Sequence, residues 1–531
     1  MKIVNYSQIF GKHNVKFLLG YEQKKTNTRF IRGTGNNLFS VDPAYVNLSN
    51  TTSGKIVQSG VDYQPNSTQS FFARLDYIFA DKYILGATIR RDGYSAFANG
   101  RKYGNFPSVS LAWRASQEDF LKGISWLNDL KIRGSYGVAG FNANVPGDNA
   151  FSSFGSDPGG SYYPINGTIN ATSTGFFAQR IGNLATTWEK DKIANIGFDA
   201  SIFNSFDVSL EYFQKKSTDL LFAVTLPATV GGAQAPTVNV GSVENKGFEA
   251  AFTYHGKPSA DFTYNIGANI TTYKNKITYL VDDFFQAGSR IGNIVKQEVG
   301  QSIGSFYGYK VLGYFKDAAD VAASPVQDGA APGRFKYQDT NGDKKISDDD
   351  RQFIGNPNPD FTYGVNLNAN YKKFDLTAVF YGSQGNDNFN YTKYWTHFYS
   401  SLTGNKSNDL LKNAWSPTNL NPKAPKAEAV SSFSTDGQVN SFYVENGSFL
   451  KLRTLQLGYD FGATVLKKIG VSRLHVYIQG TNLFTATKYT GLDPELQAGN
   501  SNGNNGNSLG IDYGNYPNNE KRYLLGVNLS F

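Results

Sequence analysis

The chain has 531 residues, of which 40% are hydrophobic, 15% are aromatic and only 18% are charged. No stretch approaches the ~18 uninterrupted apolar residues of a transmembrane helix, and the absence of cysteine excludes disulfides, thiolate zinc sites and cysteine nucleophiles. The formal charge of +8 is spread along the chain without a basic run interleaved with aromatic residues, which argues against binding of nucleic acid.

Alternating polar and apolar residues recur from one end of the chain to the other, and this pattern predicts β-strands. Near the start, Phe71, Leu75 and Phe79 share a face that lies opposite Arg74 and Asp76. Fifteen strands are predicted in this way, at 3–10, 13–24, 68–80, 83–92, 106–115, 126–138, 190–202, 206–216, 246–256, 261–275, 361–371, 374–385, 448–461, 473–484 and 521–531.

The strand predicted at 361–371 shows the pattern most clearly. One face is apolar with aromatic ends, whereas the other carries Asn366, Asn368 and Asn370. Because successive side chains of a strand point to opposite sides, the first face suits lipid and the second a wet lumen. The predicted fold class is therefore all-β, a transmembrane antiparallel β-barrel to which this chain contributes about 15 strands.

The connections between the predicted strands alternate in length, as in bacterial outer-membrane barrels with short periplasmic turns and long outer loops. With fifteen alternating strands and a first strand that runs inward, Phe531 is expected in the periplasm. A short helix is expected at 117–121, and 302–315 could pair with 334–338 to add two strands, a question that the sequence leaves open. The short connections lie at 11–12, 81–82, 203–205, 257–260 and 372–373, and the long ones at 25–67, 139–189, 217–245, 276–360, 386–447 and 485–520.

One acidic segment in the longest connection has the ligand spacing of a calcium loop. Asp339, Asn341 and Asp343 hold its positions 1, 3 and 5, Lys345 would offer its carbonyl, and Asp350 would close the loop. Alternating hard oxygen ligands are what Ca²⁺ requires. The loop departs from the usual pattern because lysine replaces the turn glycine at position 6 and aspartate replaces the final glutamate. A solvated acidic turn is the alternative interpretation.

Motifs of enzymes are weak in this sequence. Two segments, 300–304 and 506–510, match the nucleophile-elbow pattern G-x-S-x-G, but the second lies in a Gly/Asn-rich connection and the chain has only four histidines. The sequence has no HExxH motif, phosphate-binding loop or dinucleotide-binding fingerprint. We therefore predict that the protein is not an enzyme.

Several segments in the second half of the chain together resemble a known family. Their order and spacing are similar to the C-terminal half of the SusC/RagA-type TonB-dependent transporters, and the resemblance covers essentially the whole chain. The terminal Phe531, which follows alternating apolar residues, also resembles the signal recognised by the barrel-assembly machinery. The segments are Gly300–Tyr309, Asp339–Asp343, Ile354–Phe361, Val444–Arg453, Asn482–Phe484 and Tyr489–Pro494.

The resemblance implies a 22-stranded barrel with an N-terminal plug in the outer membrane of a Gram-negative-type cell, a size that barrel geometry allows. Residues 1–531 would be its C-terminal portion, without plug and N-terminal strands. The implied function is TonB-dependent import of a nutrient such as a glycan or peptide, with outer-membrane lipid, a SusD-like surface lipoprotein and the TonB complex as partners. A passive porin and a surface adhesin are the alternatives.

The residues after Met1 show no signal peptide, although a barrel cannot reach the outer membrane without one. We therefore expect either that the sequence starts downstream of the natural start, or that the barrel interpretation is wrong.

Overall fold

A computed structural model describes the chain except for positions 28, 35, 36, 39, 41, 43–45, 47–56, 63–65, 157–160, 169–171, 224–225, 402–403, 420, 462–469, 497–507 and 515–519. Three short α-helices occur in the described part: α1 (Ala318–Ala323), α2 (Thr392–Thr396) and α3 (Asn408–Asn413). In the same residues, every helix is too short or too polar to cross a bilayer. Short 3-10 helices lie at Ala115–Gln117, Ala228–Val230, Asp348–Asp350 and Ser441–Tyr443.

Within the part of the chain that the structure describes, fifteen strands form one large sheet whose strand order follows the order of the chain. Each of the fifteen strands predicted from the sequence coincides with one of them, so the all-β antiparallel prediction is confirmed. The strands are β1 (Lys2–Phe10), β2 (His13–Thr26), β5 (Asn66–Phe79), β6 (Tyr83–Tyr94), β7 (Tyr103–Arg114), β8 (Leu127–Phe141), β11 (Glu189–Ile202), β12 (Phe206–Ala223), β13 (Thr237–Ser259), β14 (Phe262–Leu280), β21 (Phe361–Tyr371), β22 (Phe374–Gln384), β25 (Phe449–Phe461), β26 (Arg473–Thr487) and β28 (Arg522–Ser530).

The long connections contain shorter strands that the sequence analysis did not identify, and these form small separate sheets. They are β3 (Arg29–Thr34), β4 (Val57–Asp62), β9 (Ser153–Gly155), β10 (Phe177–Arg180), β15 (Phe284–Ser289), β16 (Gly292–Gln297), β17 (Phe306–Gly308), β18 (Val311–Tyr314), β19 (Phe335–Tyr337), β20 (Gln352–Gly355), β23 (Asp387–Asn390), β24 (Val444–Asn446) and β27 (Ile511–Asp512).

Two open points of the sequence analysis are settled by these elements. Strands β18 and β19 do pair with each other, but they form their own two-stranded sheet and add nothing to the large one. The helix expected at 117–121 is wrong, because the structure has a single 3-10 turn at Ala115–Gln117 followed by ordinary turns.

The chain divides into two compact units, of which the first comprises Met1–Trp113, Gly134–Ala194 and Lys216–Ser242. Within it, neighbouring strands place Phe17, Leu75, Ala87 and Val109 in one apolar row. Its small buried core consists of Tyr94, Ala96, Phe97, Phe106, Val145, Trp188 and Leu221.

The second unit comprises Arg114–Arg133, Asn195–Lys215 and Val243–Phe531. Its strands align the two kinds of side chain in alternate rows across the sheet. One row contains Tyr264, Ala369, Leu376, Leu457, Ile478 and Leu525. The adjacent row contains Asn265, Asn368, Thr377, Gln456, Gln479 and Leu524. Because adjacent rows lie on opposite faces, this part of the sheet has one apolar face and one largely amide-lined face.

Tight turns join the strands of the second unit at one end of the sheet. Lys372, between β21 and β22, has a φ of 55°, and Phe203 and Asn204, between β11 and β12, have φ values of 54° and 56°. Positive φ in such short connections is the geometry that matches the twist of antiparallel strands. The long connections of this unit therefore leave from the opposite ends of the same strands.

Candidate functional site

The three long connections of the second unit fold together into one body, which we call the loop body. The buried hydrophobic residues inside it are called the loop core. Its residues come from the connections after β14, β22 and β26, and about half of them are aromatic. They are Ile291, Ile294, Val295, Phe306, Tyr309, Phe335, Tyr337, Ile346, Phe389, Tyr391, Phe398, Val439, Tyr443 and Ile511.

Buried polar groups connect the segments of the loop core. The side-chain amide of Gln327 donates to the carbonyl of Phe335 and to the hydroxyl of Ser434, both at 2.7 Å. Its oxygen accepts from the backbone amide of Tyr337 at 2.9 Å. The bond from Gln327 to Ser434 links the connection after β14 to the one after β22, and the pairing of β23 with β27 links the connection after β22 to the one after β26. The connections therefore present a defined surface at the end of the sheet opposite the tight turns.

A buried histidine, His397, lies in this body next to Phe442 and is 8% exposed. Burial, together with the nearby ammonium of Lys393, lowers the pKa of His397 to about 4. Lys393 itself forms a 2.8 Å ion pair with Glu445. Although burial opposes ionisation, that lysine holds the pKa of the Glu445 carboxyl below its ordinary value. At neutral pH the loop core therefore holds a neutral imidazole beside a charged pair.

A second buried ion pair attaches the last long connection to the wall of the sheet. Lys451 of β25 has a fully buried side chain, and its ammonium lies 2.7 Å from Asp493 and 2.9 Å from Glu495. Arg453 pairs with the same glutamate. The side chain of Asn388 donates to the carbonyl of Pro494 at 2.8 Å. Residues 493–495 are therefore fixed by charge and hydrogen bonds.

The structure brings together the residues predicted to bind calcium, although their oxygens already serve the local backbone. Asp339 accepts from the amides of Gly342 at 2.7 Å and Lys344 at 2.9 Å. Asp343 accepts from the amide of Lys345 at 2.8 Å, and the side chains of Asn341 and Asp343 are 3.1 Å apart.

The last predicted ligand, Asp350, is fully buried beside this turn. It accepts from the backbone amides of Thr340 at 2.7 Å and Ser347 at 2.8 Å. Burial opposes ionisation, but these amides hold the pKa of Asp350 below its ordinary value. Among the residues that the structure describes, no group of three or more His, Cys, Asp or Glu side chains is arranged to hold a metal ion. Calcium binding stays a prediction.

In the nucleophile-elbow segment at 300–304, the hydrogen bonds of the serine side chain to described residues involve a backbone carbonyl and an asparagine amide. The hydroxyl of Ser302 donates to the carbonyl of Asn275 at 2.8 Å and lies 3.5 Å from the side-chain nitrogen of Asn356. In the second such segment, positions 506 and 507 lie outside the described residues.

An open cavity of about 250 Å³ with three aspartates in its lining, which the sequence pattern did not reveal, lies between β8, β11, β12 and β13 in the second unit. Asp199 contacts Lys131 at 2.8 Å and Arg133 at 3.2 Å. Asp207 accepts from Ser201 at 2.5 Å and pairs with His255 at 2.9 Å. These residues are separated by up to 124 positions in the chain, so only the strand register brings them together. The lining consists of Asp129, Asp199, Ala200, Ser201, Asp207, Val208, Ser209, Ala251 and Thr253.

Comparison with known proteins gives consistent matches. The family model described as TonB dependent receptor-like, beta-barrel, matches residues 4–381. Among curated relatives, the TonB-dependent receptor P3 of Formosa agariphila is 33% identical over 99% of this chain and 52% of its own length. The TonB-dependent receptor SusC of Bacteroides thetaiotaomicron is 28% identical over 99% of this chain and 49% of its own length.

The matches to solved structures agree with those to sequences. The structure of the RagAB peptide transporter superimposes with a TM-score of 0.79 and 26% identity, covering 100% of this chain and 54% of the other. The chain thus spans about half the length of the curated relatives it matches.

Proposed function

The chain belongs to the family of TonB-dependent receptor β-barrels, and from this premise we propose that it forms the transmembrane wall and outer loops of a SusC/RagA-type nutrient importer. Barrels of this family are outer-membrane proteins. The observation that carries the proposal is the part of the large sheet from β14 to β28, which has one apolar and one amide-lined face and whose long connections fold together around the loop core. A wall between lipid and water that is built of strands requires one apolar and one polar face.

In this proposal the chain makes and breaks no covalent bonds. Its long strands and its loop body each have a physical task. The apolar rows of β14 to β28 contact outer-membrane lipid, and the amide rows provide hydrogen-bonding groups along a wet interior. The loop body helps to capture the ligand outside, the tight turns face the periplasm, and Phe531 lies on the periplasmic side. Energy for import comes from the TonB complex, and a SusD-like surface lipoprotein assists capture.

For the imported ligand we propose a nutrient such as a glycan or a peptide. A solved relative is a peptide transporter, which supports including peptides. The aromatic and amide groups of the loop body suit both ligands, since rings contact sugar faces and apolar side chains alike.

The experiment is deletion of the gene in its source organism, followed by growth on single oligosaccharides and peptide mixtures as the limiting nutrient. Loss of growth on one class, restored by an intact gene copy, is expected. Growth unchanged on every nutrient tested would contradict the import proposal.

A further inference from the structure

The small sheet of β15, β16, β17 and β20 has two different faces. On the inner face, Phe306 is completely buried in the loop core. On the other face, Phe285 pairs with Lys296, and Tyr307 pairs with Phe353, so that aromatic rings and a cation form a row across four strands. Phe285 is 45% exposed. This row therefore forms a partly accessible aromatic surface.

The guanidinium of Arg351 lies over this row, with its central carbon 5.1 Å from the ring centre of Tyr307 and 5.7 Å from that of Phe285. Its Nε is buried and has no hydrogen-bond partner. Among the described residues, its guanidinium forms no hydrogen bond and no ion pair. By contrast, Arg334 of the same connection makes two hydrogen bonds to Glu428, at 2.7 and 3.1 Å. A buried donor without a partner is unfavourable and calls for an acceptor.

Two cations lie at the row, Lys296 and Arg351, and of these two only Lys296 has ion-pair partners among the described residues. Lys296 is already neutralised by Glu298 and by Asp283, the latter at 3.4 Å. Asp348, close in sequence to Arg351, accepts from the hydroxyl of Tyr309 at 3.1 Å. A planar guanidinium presents donors that match both oxygens of one carboxylate. Rings that exclude water around it strengthen such an interaction.

We propose that Arg351 binds a carboxylate group of the imported ligand, while Phe285 and Tyr307 contact the apolar part beside that group. This inference rests on the proposed import function and assigns the ligand an acidic chemistry. The C-terminus of a peptide and a uronic acid of a glycan both supply a carboxylate next to carbon atoms. These two sources share one recognition chemistry and differ in what else they present.

The test measures binding of four probes to the purified full-length receptor in detergent by calorimetry. The probes are a tetrapeptide with a free C-terminus, the same peptide amidated, a trigalacturonate, and its methyl ester. The variants are Arg351→Gln, Arg351→Lys and the control Arg290→Gln. Arg290 is an exposed arginine in the same connection, stacked at 5.0 Å over Trp395, which makes it a matched loss of charge. Heat-modifiable mobility on gels verifies that each variant is folded.

At least one of the two acids should bind roughly tenfold or more tightly than its neutral counterpart. Arg351→Gln should remove that preference. Arg351→Lys should keep part of it, because the positive charge remains while the planar pair of guanidinium donors is lost. Arg290→Gln should keep all of it. The acid that binds identifies the source. The inference is overturned if neither acid is preferred, if no probe binds at millimolar concentration, or if Arg351→Gln retains the preference. Energised uptake by cells with the wild-type receptor is measured in a separate experiment. Failure of that uptake would contradict the import function, whereas absence of the acid preference from the wild-type receptor in the binding experiment would contradict only the role of Arg351.

Discussion

The buried lysine of strand β25 gives the sharpest expectation at the scale of single residues. In Lys451→Ala, the carboxylates of Asp493 and Glu495 lose a cation 2.7 and 2.9 Å away while remaining in a largely closed site. Breaking such a pair from one side costs about 3–5 kcal/mol. Limited proteolysis of the full protein should therefore cut near 488–496 in the variant and spare the wild type.

A matched control for this variant exists at an exposed ion pair of the same sheet. Arg473 contacts Asp460 at 2.7 Å, but its side chain is 64% exposed. Exposed pairs contribute at most about 1 kcal/mol, so Arg473→Ala should leave the cleavage pattern unchanged. Equal cleavage in the two variants would show that the buried pair does not hold the connection.

The buried histidine predicts a pH dependence with a definite sign. The pKa of His397 is about 4 in the folded protein, below its ordinary value of 6.5. The unfolded segment therefore binds more protons between these values, and the loop core loses stability as the pH falls from 6.5 towards 4, by no more than about 3 kcal/mol. Amide hydrogen exchange at 433–443, corrected for intrinsic rates, should be faster at pH 5 than at pH 7. His397→Asn should abolish this difference; an unchanged difference would point to another group.

The predicted calcium turn can be tested at the residue that departs from the usual loop. Lys344 has a φ of 65°, a conformation in which a residue with a side chain is strained and glycine is not. Lys344→Gly should relieve about 1 kcal/mol of strain and remove a positive charge beside Asp339 and Asp343, so calcium affinity should rise. Calorimetry of the full protein with millimolar calcium checks this. If neither the wild type nor Lys344→Gly gives a heat of binding, the segment is a solvated acidic turn and not a calcium site.

The residues of the candidate site were predictable only where their chemistry lies in one short segment. The spacing of Asp339, Asn341 and Asp343 is visible in five consecutive positions, and the structure does bring them together. Lys451 and Asp493 are 42 positions apart, and no local pattern links them. Such pairs depend on strand register and on the path of a connection, which a single sequence does not specify.

At the scale of elements, the strand register predicts which side chains meet water. Asn366 and Asn368 lie on the amide-lined face of β21, whereas Tyr363 and Leu367 lie on the apolar face. Single cysteines at the first two positions should react with a membrane-impermeant thiol reagent applied to the folded protein in lipid, and cysteines at the last two should not. The native chain has no cysteine, so the background is zero. Reversed reactivity would mean that the faces are assigned wrongly.

The long strands were predictable and the short ones were not, for a physical reason. A strand such as β21 carries its two-residue period over eleven residues, because lipid and water act on its two faces at every step. Strands β18 and β19 have four and three residues, too few to establish a period. Their pairing depends on the loop core around Phe335, which is assembled from distant segments.

At the scale of the whole molecule, each unit combines part of the large sheet with a buried aromatic core of its own. The family match covers strands of both units, from residue 4 to residue 381. The alternating pattern pointed to this architecture, since alternation keeps the average composition polar while providing an apolar face. The ligand was not predictable, because its recognition depends on loops whose fold the sequence pattern did not reveal.

The measurement that tests the central claim most directly is the initial rate of uptake of the supporting nutrient, radiolabelled, by whole cells before and after addition of a protonophore. An importer coupled to TonB depends on energy relayed from the inner membrane, so we expect accumulation into the periplasm to stop while surface binding persists. Cells lacking the gene give the baseline. Uptake that requires the gene but continues unchanged without a proton gradient would contradict energised import, and would indicate a passive pore.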